Sequence, residues 1–247
     1  MMNLERKTKN YLQEDNKMSQ KGKFRISGVG TVVAGDYGDI SISGSGKIVG
    51  DISCEALRVS GSCKSEGVIN ATSIRSSGSI RCEKDVISDD ISISGSGKFE
   101  GDVKVKRMSV SGSFKSEEHY LNAERINISG SLKNELEINA ELIEVSGKID
   151  AKEIVGTTIN ILKEDHLFSI TPGFFMFGSK RLTLNKAETI TCETIFARNL
   201  KCIKLCAEDI TLKNHSMVEY VECNGVLRMD SSCSVKQIEG TCEIIRE

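Results

Sequence analysis

Apolar residues in this chain fall two apart, and the pairs they make recur at a fixed interval. Val59-Ser60-Gly61-Ser62 marks the interval, and Ile42-Ser43-Gly44-Ser45, Ile93-Ser94-Gly95-Ser96, Val110-Ser111-Gly112-Ser113 and Ile128-Ser129-Gly130-Ser131 repeat it. Ser76-Ser77-Gly78-Ser79 and Val145-Ser146-Gly147-Lys148 are weaker copies. The glycines stand at 44, 61, 78, 95, 112, 130 and 147, so every step is 17 residues except one of 18. Four before the glycine stand Ile40, Leu57, Ile74, Ile91, Met108, Ile126 and Ile143. Two before it stand Ile42, Val59, Ser76, Ile93, Val110, Ile128 and Val145. Nine before it stand Ile52, Ile69, Val86, Val103, Leu121 and Ile138, and seven before it the residue is usually small, as Cys54, Ala71, Ser88, Ala123 and Ala140 are; Tyr37 and Val105 break that rule. A spacing of two places side chains on one face of a strand, whereas a helix needs partners three and four apart, which this chain does not sustain.

A third pair follows each glycine, as Cys63 and Ser65, Ile80 and Cys82, Gly97 and Phe99, or Phe114 and Ser116. Three short strands per repeat predict a coil of triangular section. No coil can bury its inner face alone, so stacked neighbours must supply the core. The fold class expected is all-β: a single-stranded parallel β-helix solenoid with triangular coils of about 17 residues. Glycine once per coil fits a corner that needs either positive φ or a close backbone approach. Three after it come Lys47, Lys64, Arg81, Lys98, Lys115 and Lys133; five after it come Glu66, Glu83, Glu100, Glu117 and Glu135. Stacking therefore predicts a basic column beside an acidic column, either a solvated face or a docking face for a charged partner.

The pattern divides the chain into four stretches. Residues 1–22 are polar and charged, with no apolar run, and are expected to form a disordered tail without signal peptide or membrane span. Residues 23–163 carry the regular coils, beginning near Phe24 with Ile26, Val29 and Val32. Residues 164–181 interrupt them with Pro172, the single proline, and with Phe174, Phe175, Met176 and Phe177 followed by Lys180 and Arg181. This segment either packs its phenylalanines on the rod or presents an apolar patch with a basic flank, suited to a membrane surface or to self-association. Residues 182–247 return to strand spacing at Leu182 and Leu184 in divergent coils: one of about 15 residues from Ile190 to Leu205, where Asn199 and Asn214 replace the corner glycine, then further coils in blurred register at Val221, Cys223, Leu227, Met229, Val235 and Ile238; asparagine tolerates left-handed backbone better than most residues. At about 12–13 coils the rod is expected to be roughly 55–65 Å long.

Composition narrows the function classes. A net charge of −2 argues against a basic nucleic-acid binder. The nine cysteines form no Cys-x-x-Cys pair, and several fall in inward slots of the repeat, which reads as buried small hydrophobes in a reducing cytosol. His119, His166 and His215 are too scattered to suggest a metal site. Asp51, Asp85 and Asp102 share one slot ten before the glycine and read as turn residues rather than as an acidic catalytic cluster. The Gly-Lys pairs at 46–47, 97–98 and 147–148 lack the rest of a phosphate-binding loop. No catalytic residue, cofactor or metal is expected.

The repeat resembles the bactofilins, bacterial polymer-forming cytoskeletal proteins. The resemblance is carried by Gly-Asp before the strand, as in Gly50-Asp51-Ile52 and Gly101-Asp102-Val103, together with Ser-Gly at the corner. It covers about residues 23–163, and the remainder looks like the longer form of Gram-positive, spore-forming bacteria with extra C-terminal coils. The resemblance implies a right-handed β-helix with disordered tails. It also implies nucleotide-independent, non-polar filaments joined through like ends of the rods, in the cytoplasm and often at the inner face of the membrane. Self would then be the main partner, with envelope or motility proteins as cargo. By position, Phe24, Ile26 and Val29 become candidates for one end contact, while the extra coils after Lys163 put simple polymerisation at the other end in doubt. The alternative is a membrane-associated β-helical adaptor that binds partners without polymerising.

Overall fold

A computed structural model describes residues 22–162 and 184–247. They form one parallel sheet of 21 strands wound into a solenoid, with no helix. One ladder shows the stacking: Ile26, Ile42, Val59, Ser76, Ile93, Val110, Ile128, Val145, Ile161, Ala197, Leu212, Met229 and Arg246 lie in sequence-order register, thirteen rungs in all. Twelve steps of about 4.8 Å make a rod of roughly 58 Å. Each coil has three faces. Face A holds pairs such as Ile52 and Cys54, face B pairs such as Leu57 and Val59, and face C, after the Ser-Gly corner, pairs such as Cys63 and Ser65. All six of these side chains are buried, each pair sharing one face as the period of two requires.

The corner glycines are selected by contact rather than by dihedral. A Cβ on Gly61 would lie 2.0 Å from the carbonyl oxygen of Gly44, and one on Gly78 1.9 Å from that of Gly61. Neither has positive φ. Each corner presses on the one below, and the backbone closes the gap with bonds such as Ser62 N–H to Gly44 O at 2.9 Å and Ser79 N–H to Gly61 O at 2.8 Å. The Gly-Asp turns at the opposite corner are tied differently. The Asp51 carboxylate accepts the Val68 N–H at 2.8 Å, Asp85 that of Asp102 at 3.0 Å and Asp102 that of Tyr120 at 3.0 Å. These acids cap the backbone of the next coil, as the turn reading expects.

The interruption at 163–183 leaves the ladder intact. The chain departs after Ile161, on face B, and returns at Asn185, on face C, at the corner where Ser-Gly stands in other coils. Asn185 lies one rung above Ile149 and its side-chain oxygen accepts the Ile149 N–H at 3.0 Å. Among the described residues strand structure resumes at Asn185, one residue past Leu184; Leu182 lies outside the described residues. The segment carrying Phe174, Phe175, Met176, Phe177, Lys180 and Arg181 lies outside the described residues, as do residues 1–21 of the polar tail.

Above the interruption one coil shortens to 15 residues, Ile195 to Ile210, and the next two recover 17, Ile210 to Leu227 to Ile244. The shorter period holds where the sequence predicts it, from Ile190 to Leu205 and from Ile195 to Ile210, and the later coils, expected in blurred register, lengthen again. Asn199 and Asn214 do stand at the corner, with φ of 53° and 55°. Asn214→Ala is expected to cost about 1–2 kcal/mol and Asn214→Gly much less, because only the former places an unsuited Cβ in left-handed backbone. Denaturant unfolding of the two variants checks this.

Candidate functional site

Three surfaces stand out: the charged flank on face C and the two ends of the rod. The flank is built by register. Face C strands pair so that Lys47, Lys64, Arg81, Lys98, Lys115 and Lys133 form one column. Each reaches the glutamates beside it. Lys64 Nζ lies 3.2 Å from Glu66 and 3.0 Å from Glu83; Arg81 lies 2.9 Å from Glu100; Lys98 lies 2.8 Å from Glu100 and 3.3 Å from Glu117. Lys115 bridges Glu117 and Glu135, and Lys133 lies 2.7 Å from Glu135. The two columns interlock as a zigzag in which most charges touch one partner in their own coil and one in a neighbour.

The zigzag sets the ionisation of its members. Hydrogen bonds from Lys47 and Lys64 hold the Glu66 carboxyl below the usual range; Lys98 does so for Glu100, Lys115 for Glu117 and Lys133 for Glu135. Lys64, Lys98 and Lys115 are raised in turn by hydrogen bonds to Glu83, Glu100 and Glu117. Asp230 is pushed down to about 2: burial opposes this, but hydrogen bonds from the Ser232 hydroxyl, the Asn214 N–H and Cys233 outweigh it. A carboxylate whose folded-state pKa is depressed stabilises the fold above its unfolded pKa, and loses that contribution as pH falls through the folded value. The melting temperature is therefore expected to hold down to the ordinary carboxylate range, about pH 4, and to drop progressively below it. Melting followed by circular dichroism from pH 7 to pH 2 checks this; a flat profile down to pH 2 would contradict it.

The N-terminal end is closed by aromatic packing. The Phe24 ring meets Tyr37 edge-on with centroids 5.8 Å apart, and the Tyr37 hydroxyl donates to Val33 O at 2.8 Å. Of the three residues expected to make an end contact, Ile26 is buried in the core, Phe24 is half-buried against Tyr37, and only Val29 is exposed, at 91%. Ile26 stacks in one ladder with the buried Ile42 and Val59, and the Phe24 ring turns to Tyr37. Among the described residues, Phe24–Ile26 pairs on one side only, with Ile40–Ile42.

Among the described residues no aromatic pair covers the C-terminal end. Ser234–Glu239 pairs only with the Met217–Cys223 strand and Glu243–Arg246 only with Val226–Met229 among the described residues. Val235, Ile238 and Cys242 are half-buried, and Ile244, in an inward slot, is 47% exposed. In the sequence the signal for this surface is the blurred apolar spacing of Val235 and Ile238.

The cysteines pack as expected of small hydrophobes. Cys54, Cys63, Cys82, Cys202 and Cys223 are buried and the other four are half-buried. Burial pushes Cys63, Cys192 and Cys202 up to about 12. Between faces A and B runs a groove of about 610 Å³ whose floor is Cys54, Ala71, Ser88, Val105 and Ala123. Small side chains at that slot create it, and Tyr37 occupies the same slot in the second rung.

Among the described residues no helix is long and apolar enough to cross a membrane. A scan against models of protein families finds no match to this chain, and neither curated proteins nor solved structures yield one. The fold and its surfaces thus define a class, the β-solenoids, and the class is as far as identification goes.

Proposed function

We propose that this protein is a non-catalytic, self-assembling scaffold of bactofilin type, in which rods join through their end coils into filaments without nucleotide. The observation that carries this reading is that both terminal rungs present strand edges unpaired among the described residues, the C-terminal one beside an uncovered apolar core. Unpaired edges favour strand addition by another chain, and contacts at both ends generate a filament. The regular flanks would arrange envelope or motility components along the rod, in the cytoplasm against the inner face of the membrane. A second reading is an adaptor that binds a partner along its flank, favoured by the way the charged zigzag ends at Glu135.

Negative-stain electron microscopy of the full chain without nucleotide or metal tests the first reading. Filaments are expected from the unaltered protein. Ile244→Arg, which places a charge on the uncovered end, is expected to shorten them to rod pairs or single rods, and Phe24→Arg to interrupt the other contact. Single rods from the unaltered protein at all concentrations would sink self-assembly.

A further inference from the structure

Above Glu135 the flank stops matching cations to carboxylates. The same outward columns carry Asp150 and Lys152, then Lys186 and Glu188, then Lys201 and Ile203. In register, Asp150 lies beside Lys186, and Lys186 directly beside Lys201. Each cation from Lys47 to Lys133 meets at least one glutamate. Lys152, Lys186 and Lys201, by contrast, make no ion pair among the described residues. Two lysines one rung apart, at about 4.8 Å, repel each other, so this arrangement works against the stability of the sheet. The surface also dips here. A hollow of about 360 Å³ has the three lysines on its walls, Ala151 and Ala187 among its lining residues, and Ile203 at 52% exposure beside them.

We propose that this hollow docks an extended, acidic polypeptide segment of a partner protein. Three lysines without carboxylates are a ready-made counter-charge for spaced Asp or Glu side chains, and charge-assisted bonds to them are the strong ones. Ile203 offers apolar contact to a residue between those acids. Three carboxylates, Asp150, Glu188 and the Lys133-paired Glu135, interrupt the basic wall, which disfavours a uniformly anionic surface and favours a segment whose carboxylates alternate with neutral residues. The concavity fits a chain better than a flat bilayer. The proposal stands whether or not rods join at their ends.

The test uses the full chain and a short fluorescein-labelled peptide in which glutamate and leucine alternate, with a lysine–leucine peptide as control. Anisotropy titration is expected to show binding of the acidic peptide alone, weakened about ten-fold or more by Lys186→Ala with Lys201→Ala. Lys64→Ala, in the matched part of the flank, leaves binding unchanged. The double variant melts no lower than the unaltered protein, because the substitution relieves a repulsion. Equal binding of the two peptides, or undiminished binding by the double variant, overturns the proposal. Binding to phosphatidylglycerol vesicles without binding to the peptide also overturns it, and assigns the surface to lipid.

Discussion

Gly78→Ala unfolds the middle of the rod, whereas Gly28→Ala leaves it unchanged. Both glycines occupy the same slot of the repeat. The difference lies beneath them. A methyl group on Gly78 would stand 1.9 Å from the carbonyl oxygen of Gly61 and 2.6 Å from that of Ser60, both backbone atoms held in ladder bonds. Gly28 begins the stack, and its added carbon meets nothing within 4 Å. The corner at residue 78 can accept the methyl group only by separating two coils, which breaks bonds on all three faces, so a cost of about 3 kcal/mol or more is expected. In a solenoid, stability is largely a sum of neighbour interfaces. The damage should therefore appear as protease cleavage localised near residues 60–80 as well as a lower melting temperature. Equal melting of the two variants would refute the stacking argument.

Phe114→Ala is expected to cost about 3–5 kcal/mol, the range for deleting a buried aromatic ring. Phe99 and Phe114 are fully buried on face C and meet edge-on, with centroids 5.0 Å apart. Gly97 makes the room: a Cβ there would approach the Phe114 ring at 3.1 Å. One rung therefore omits a side chain where the next supplies a large one. Gly97→Ala with Phe114→Leu should recover part of what Phe114→Ala loses, because the added methyl and the smaller side chain share the same space. Denaturant unfolding of the variants measures this; additive effects would show that the two positions do not share a void.

Much of this was legible in the sequence because a solenoid writes its three-dimensional register as a one-dimensional period. The pairs at Leu57 and Val59, the basic and acidic columns, the capping role of Asp51, Asp85 and Asp102, and the left-handed Asn199 and Asn214 all follow from aligning copies on one glycine. What the period cannot convey is how the stack ends and where it is interrupted. Phe24 and Ile244 occupy the same inward slot at opposite ends of the stack, yet Phe24 is half-buried against Tyr37 and Ile244 is exposed. The unmatched lysines were missed for a related reason. Ile149 and Asn185 are neighbours in space but 36 residues apart in the chain. The columns that the sequence shows as far as Glu135 therefore continue, unnoticed, through Lys186 and Lys201.

The return of the ladder after residues 163–183 has a consequence for what such a rod can carry. The chain leaves and re-enters at the Ser-Gly corner without losing a rung, so the length of what is inserted is decoupled from the pitch of the coil. Every corner from Gly44 to Gly147 lies on the same edge, one above another. Segments grafted at any two of them would emerge from a common line at separations fixed in multiples of about 4.8 Å. For such grafts the rod would be a graduated ruler, with their separations set in whole rungs.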